Sequence, residues 1–491
     1  MTSEDNPPVD MNLNKLRFKR YSKQTLVTND FGNWIVLDDT EYRQLKFGDL
    51  SKVLFNKLED NFMILTDKNI DRTAHRISDN NWHLMNGTGL HIIIPTLRCN
   101  FTCRYCYALR APENAPDKDM TPELIDRTVD FIFTTPAQSF TIEFSGGEPL
   151  LRFDLFKRAV LRAENLMEKT GKSVHFAIIT NGSLIDDEIV DFFNKHKVGA
   201  CLSLDGPKKL HDSNRKFTKN SIGSYDSVIA KLEFLKEKKY PSVNVLPVIV
   251  KDSLKQWKNV VDEYISLGFT ALRFKYVSRF GFASGSWKEL SYSAEEYLDA
   301  WKNVIDYMLE LNRNGVQIVE NIATIIVSKI STGIGSGYAE LQSPCGAVIG
   351  QLVYDYDGSI YTCDEARTMP DFRIGHVTTS VYPELLDHSV TKSMQSVSNL
   401  TTTCDECSYV SFCGVCPLEI YGEEKGFITN IPSNYRCKIH KGMFDFLFDK
   451  IVNDPDAKEL LYKWPLVRSG MSGSSHRAEE NVNVFCDSCN I

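Results

Sequence analysis

The sequence lacks any apolar run approaching the roughly 20 residues needed to cross a bilayer. Its opening stretch, MTSEDNPPVD, is polar and acidic, without the basic start and apolar stretch of an export signal. Long runs of one charge are also missing, for 56 basic residues stand against 64 acidic ones in a chain of 491, a net charge of -8. These absences argue against a membrane span, a secretory route and a polyanion-binding face. The expectation is a cytoplasmic protein with neither membrane nor nucleic acid as partner.

A disulfide framework is a further absence. The chain has 13 cysteines, yet cytosolic thiols are kept reduced and a chain of this length is far larger than the small scaffolds that need staples. Metal ligation is the better expectation, and the distribution supports it. Cys99, Cys103 and Cys106 form one group, Cys345, Cys363, Cys404, Cys407, Cys413, Cys416 and Cys437 a second, and Cys486 with Cys489 a CxxC near the C-terminus. Cys201 stands apart within an apolar strand pattern and reads as a small buried hydrophobe.

Between residue 89 and about 315, short β-rich runs alternate with amphipathic helical stretches, the pattern of a parallel sheet built from βα units. Strands are expected over 90–97, 140–144, 174–180, 200–204, 243–250 and 272–277. Thr121-Pro122, Asp154, Asp186 and the Ser293/Glu296 capping box mark helix starts between or after them. Six such units fall short of the eight of a closed barrel, so the fold class expected is α/β, a partial (β/α)6 barrel. Functional groups in such folds gather at the C-terminal strand ends. Before it, strands over 25–28 and 33–37 and a helix begun by Asp38 with Glu41 indicate a small α+β domain. After about residue 335 helical periodicity fades, and the Cys-, Gly- and Thr-rich segment is expected to depend on its metals. The divisions are 1–85, 86–330, 331–445 and a polar tail 446–491.

Directly after the first strand, Cys99, Cys103 and Cys106 lie in a CxxxCxxC loop. A cubane cluster is usually held by four thiolates, so three close cysteines leave one iron open. On spacing alone a zinc site with a distant fourth ligand is the alternative. The second strand is followed by Ser145-Gly146-Gly147-Glu148-Pro149, where glycines permit close approach to a small ligand and a carboxylate can meet an ammonium group. Together the two motifs resemble the radical S-adenosylmethionine (SAM) superfamily. The resemblance implies a [4Fe-4S] cluster on the three cysteines with SAM chelating its open iron, and SAM cleavage to a 5′-deoxyadenosyl radical. It implies that Gly146, Gly147 and Glu148 hold the SAM methionine and that Tyr105 lies near the adenine. Thr180, Ser203 and Arg215, at or after later strand ends, match groups that hold the ribose and carboxylate, although Arg215 could equally form a surface ion pair and Asp205, before Gly206-Pro207, a turn.

In the second cysteine group, Cys404-x2-Cys407-x5-Cys413-x2-Cys416 departs from a zinc ribbon, whose CxxC halves stand about 15–20 residues apart. It resembles the SPASM extension of radical SAM peptide-modifying enzymes, which binds auxiliary [4Fe-4S] clusters. The resemblance implies that Cys404, Cys407, Cys413 and Cys437 ligate one auxiliary cluster and that Cys345, Cys363 and Cys416 give three ligands to another. Two residues rather than the family's three separate Cys413 from Cys416. An eighth ligand is missing, and Cys486 or Cys489 could fold back to supply it or belong to a redox-active tail. Asp364 matches an acidic proton acceptor of the sulfatase-maturing enzymes.

The first 85 residues resemble the winged-helix-like peptide-recognition domain of many maturases, with a structural cap as the alternative. Taken together the chain resembles a maturase of the His-Xaa-Ser peptide system. The resemblance implies a ribosomally made precursor peptide with a leader as substrate, a one-electron reductant such as flavodoxin or ferredoxin, and a crosslink as product. The rivals are radical oxidation of a protein side chain, as in sulfatase maturation, and a non-catalytic iron–sulfur or zinc protein.

Overall fold

The computed structural model describes residues 13–468 apart from 23, 82–83, 85, 334–340, 401 and 427–433. The first unit is a three-stranded antiparallel sheet of β1 (Leu16–Tyr21), β2 (Gln24–Asn29) and β3 (Trp34–Leu37), followed by helices Asp39–Phe47, Lys52–Asp60 and Ile70–Asn80. Asp38 caps the first helix in a capping box with Glu41. β1, LRFKRY, was not among the expected strands: its interleaved cations hide the alternation, and all three pair with acids outside the strand, Arg17 with Asp30, Lys19 with Asp445 and Arg20 with Asp39. The unit has its own apolar core, including Val27, Ile35, Leu37, Leu54 and Leu58.

The main sheet has eight strands in the order β13-β12-β11-β4-β5-β6-β7-β8. β4 (Leu90–Ile93), β5 (Ser139–Phe144), β6 (Ser173–Thr180), β7 (Val198–Ser203) and β8 (Val243–Leu246) are parallel neighbours. Ile93 pairs with Phe144, Phe144 with Ile178 and Ile178 with Ala200, so the loops that follow leave one edge together. The apolar runs of these strands are buried, as parallel strands covered by helices require.

The sixth expected strand, over 272–277, is reduced. β9 (Ala271–Leu272) pairs with β10 (Val319–Glu320), and only an isolated bridge, Ile249 with Tyr276, links it towards β8. Side chains take the backbone donors that a strand neighbour would have used. Phe274 N donates to Glu320 at 3.1 Å and Val277 N to the Tyr292 hydroxyl at 3.0 Å.

The cysteine-rich segment is built into the main sheet. β11 (Gln351–Tyr354) lies parallel to β4, with Val353 opposite Ile92, and β12 (Ser359–Tyr361) and β13 (Arg373–His376) extend the same sheet. Leu352, Tyr354, Ile360 and Ile374 enter the same core as Phe144 and Trp301. Helicity also persists. Helix Tyr435–Asn453 crosses the boundary expected at 445, and Pro455–Arg468 lies in the segment read as a polar tail. Phe444, Leu447, Phe448, Leu461 and Trp464 of these helices belong to the main core. No helix among the described residues is long and apolar enough to cross a membrane.

Candidate functional site

The loop from Cys99 to Cys106 leaves the end of β4 and is pinned by neighbouring strand-end loops. Thr102 N donates to Lys216 O at 2.7 Å and Arg104 N to Asn214 O at 3.1 Å, while Gly147 N and Glu148 N donate to Thr96 O and Arg98 O at 3.0 and 2.7 Å. The glycine pair makes this approach possible. A Cβ on Gly147 would lie 2.1 Å from Arg98 O, and Gly146 has a φ of +125°. The glycines thus seat one loop against the other.

A cavity of about 240 Å³ opens above these loops. On the barrel side it is lined by Cys99, Cys103 and Cys106, with Tyr105, Ser145, Gly146, Gly147, Thr180, Ser203 and Arg215. Facing them from the C-terminal segment are Cys345, Cys363, Asp364 and Cys416. The sequence-expected SAM-side residues are therefore gathered around one space. Glu148 sits behind the glycines and is fully buried. Its carboxylate accepts from Thr180 Oγ1 at 2.7 Å and from the amides of Asn181 and Leu150 at 2.8 and 3.1 Å. Burial nevertheless pushes its carboxyl up to about 7 against these bonds.

Arg215 is buried and Asp205 joins it beneath the cavity. The Tyr105 hydroxyl donates to Asp205, Oδ1 at 2.7 Å, and Arg215 Nε donates to the same oxygen at 3.2 Å. Asn214 and Val248 N donate to Asp205 as well. Arg215 lies 5.2 Å from the centre of the Tyr105 ring, and its Nη1 is 3.8 Å from Cys103 Sγ. The surface ion pair weighed for Arg215 is thus a buried one. Asp205 was legible only as a turn-former, because Asp-Gly-Pro is an ordinary turn signal.

Asp364 has partners the sequence did not reveal. The Tyr107 hydroxyl donates to it, and Arg367 Nε stands 3.4 Å away. Arg367 is itself buried and also pairs with Asp355 at 3.3 Å. Tyr107 follows Cys106 directly, so this contact joins the first cysteine loop to the residue after Cys363.

The ten described cysteines of the two groups fall into three sets. Burial and then the charge of Cys103 raise the Cys99 thiol; burial pushes Cys103 up to about 12 against the pull of Arg215, with Cys106 adding to the rise. Cys363 is raised by burial and by Glu365, then by Cys416 and Cys345. Burial pushes Cys413 up to about 12, with Cys407, Cys437 and Cys404 adding to it. The last set lines a cavity of about 70 Å³. Cys416 lines both cavities, but Cys345 is the thiol that weighs on it, which groups it with Cys345 and Cys363. Among the described residues no three or more His, Cys, Asp or Glu close around a point as the ligands of one ion would. Soft thiols lining open space have the donor chemistry of an iron–sulfur cluster, and the first set leaves a coordination position for a second ligand. Cys486 and Cys489 lie outside the described residues. Cys201 is buried within β7, beside Ala177.

Residues 93–264 match the family model described as the Radical SAM superfamily. The cysteine-type anaerobic sulfatase-maturating enzyme of Clostridium perfringens (strain 13 / Type A) is 24% identical over 367 residues, covering 72% of this chain and 95% of that protein. The serine-type anaerobic sulfatase-maturating enzyme of Bacteroides thetaiotaomicron is 24% identical over 392 residues, covering 72% and 90%. Native anSMEcpe with bound AdoMet shares the fold with a TM-score of 0.65 at 22% identity, over 76% of this chain and 100% of that one. Streptococcus suis SuiB bound to precursor peptide SuiA does so with a TM-score of 0.53 at 18% identity, over 86% and 96%. With the parallel sheet and the thiol loop at the end of its first strand, residues 93–264 form a domain of the radical SAM type.

Proposed function

We propose that this enzyme modifies a ribosomally made peptide by radical chemistry, forming a crosslink, and that it is a maturase of the His-Xaa-Ser type acting on a precursor with a leader. The observation that carries the reading is the single cavity in which the Cys99, Cys103 and Cys106 loop faces Asp364 and a second thiol set. Those three cysteines would hold a [4Fe-4S] cluster that, with SAM and an electron from a flavodoxin or ferredoxin, would supply a radical able to take hydrogen from unactivated carbon. Gly146, Gly147 and the Glu148 layer beneath them form the floor for the SAM methionine, with Tyr105, Thr180, Ser203 and Arg215 around the rest of the molecule. The Asp364 carboxylate is the proton acceptor for the substrate carbon being oxidised, held in place by the Tyr107 hydroxyl and Arg367. Cys404, Cys407, Cys413 and Cys437 would hold one auxiliary cluster, and Cys345, Cys363 and Cys416 three positions of another.

A second reading, oxidation of a protein side chain to a carbonyl, is favoured by the names of the curated relatives, which are anaerobic sulfatase-maturating enzymes. One experiment separates the two. Anaerobic, reduced enzyme is given SAM and a synthetic leader-bearing peptide with His-Xaa-Ser repeats, and the products are followed by chromatography and mass spectrometry. A crosslinked product is lighter by a pair of hydrogens and inert to carbonyl reagents, whereas the oxidised side chain reacts with them. Failure to form 5′-deoxyadenosine from SAM overturns both readings.

A further inference from the structure

Four cations line the larger cavity: Arg110, Arg215, Lys275 and Arg436. Three of them face a carboxylate. Arg215 is paired with Asp205 at 3.2 Å, Arg436 with Glu419 at 3.0 Å and Lys275 with Glu365 at 3.9 Å. Among the described residues no acid pairs with Arg110, and its Nε is buried without a hydrogen-bond partner. The cavity therefore holds a guanidinium whose counter-charge the described chain does not supply.

The fold fixes where this side chain stands. Ala111, next in sequence, donates its amide to Leu97 O at 2.6 Å and accepts from Cys99 N at 3.1 Å, which ties the backbone beside Arg110 to the root of the cysteine loop. The guanidinium lies 4.9 Å from the centre of the Phe282 ring. Phe282 belongs to the short helix Gly281–Ser284, and its amide donates to Cys106 O at 2.9 Å. A cation laid on an aromatic face between two tethered segments is preorganised for an anion. Its neighbours place it at the outer part of the cavity: Leu109 and Phe282 are 43% and 44% exposed, whereas Thr180 and Arg215 on the SAM side are buried.

We infer that Arg110 binds a carboxylate of the substrate and so selects for an acidic residue beside the one being modified. The inference rests on the reading that the substrate is a peptide, whose ordinary anion is the carboxylate. A planar guanidinium meets that group with two parallel N–H donors, and the exposed Leu109 and Phe282 offer apolar surface to the flanking peptide. SAM carries a carboxylate too, but Arg215 lies deeper, against Cys103 and the Tyr105 ring.

The test uses full-length, anaerobically reconstituted and reduced enzyme with SAM and synthetic leader-bearing peptides whose repeats are His-Asp-Ser, His-Asn-Ser or His-Lys-Ser. Peptide consumption is followed by mass spectrometry and expressed as ratios of kcat/KM, which do not depend on how much of a variant is folded and loaded with iron. The unsubstituted enzyme should favour the Asp peptide over the Asn peptide about tenfold, the discrimination a charge-assisted hydrogen bond provides. R110Q should bring that ratio to about one, and R110K, which keeps the charge without the planar fork, should leave a smaller preference. R110E should turn the order round, favouring the Lys peptide over the Asp peptide. An Asp preference that survives in R110Q overturns the inference, as does its absence from the unsubstituted enzyme. A loss in R110Q shared equally by the Asp and Asn peptides assigns the charge of Arg110 to SAM or to the cluster and overturns it as well. If the unsubstituted enzyme forms 5′-deoxyadenosine but consumes none of the peptides, the peptide reading itself falls; if it consumes all at equal rates, only the role of Arg110 does.

Discussion

Asp205 is fully buried and gathers donors from Tyr105, Arg215, Asn214 and Val248. Its charge offsets the Arg215 guanidinium that lies against Cys103. Asp205→Asn preserves the shape but leaves a buried cation without its counter-charge, which should cost roughly 3 kcal/mol in denaturant unfolding. An unchanged midpoint would show that water or another group compensates Arg215. At this scale the sequence was legible where chemistry is dense. Three cysteines at CxxxCxxC spacing can hardly be explained by packing, and Glu148 follows two glycines that local structure alone would not require. Asp205 and Tyr107 were hidden because their roles depend on partners 10 and 257 residues away. Neither partner leaves a local pattern.

At the scale of elements, the site depends on how closely two strand-end loops approach. Gly147 lies where a methyl group would collide with backbone oxygens of Arg98 and Leu97, at 2.1 and 2.4 Å. Backbone cannot yield as a flexible side chain can. Gly147→Ala should therefore displace the cysteine loop and weaken SAM binding about tenfold or more, a loss of at least about 1.4 kcal/mol. Gly89→Ala, where an added Cβ meets nothing within 4 Å, is the control and should retain binding by equilibrium titration. Equal affinities in the two variants would mean the loops do not need this contact. The strands β4 to β8 were readable from their apolar runs and intervening caps. β9 was overestimated because 272–277 is apolar enough for a strand, yet its amides are taken by Glu320 and Tyr292. The extension by β11 to β13 was unreadable, since pairing across about 260 residues with β4 is a property of the assembled sheet.

Across the whole molecule, the N-terminal unit is docked by apolar packing, with Leu26 entering the main core and Trp34 meeting the Phe448 ring at 5.5 Å, and by polar contacts. Thr28 donates to Ser408 O at 2.9 Å and Trp34 Nε1 to Ile330 O at 2.9 Å. Tyr21 and Tyr409 share a hydroxyl contact of 2.5 Å, with Asp445 beside them. Arg17, buried, pairs with Asp30 at 2.6 Å and reaches Asp405 at 3.3 Å. Asp405, Ser408 and Tyr409 neighbour Cys404 and Cys407 in sequence and Asp445 lies on the helix that carries Cys437, so the unit read as peptide-recognising sits against the segment that carries the four-thiol set. If it delivers the precursor, loosening the dock should impair capture of the peptide more than cleavage of SAM. The combined Arg17→Ala and Trp34→Phe variant should lose about tenfold in kcat/KM for the peptide, whereas 5′-deoxyadenosine formation without peptide stays within about twofold. A structural cap predicts a different pattern, because weakening it would disturb the helix Asn321–Thr332 that ends beside Trp34 and lower both rates together. Measuring both rates on the same preparation therefore decides whether the N-terminal unit presents the substrate or only covers the fold.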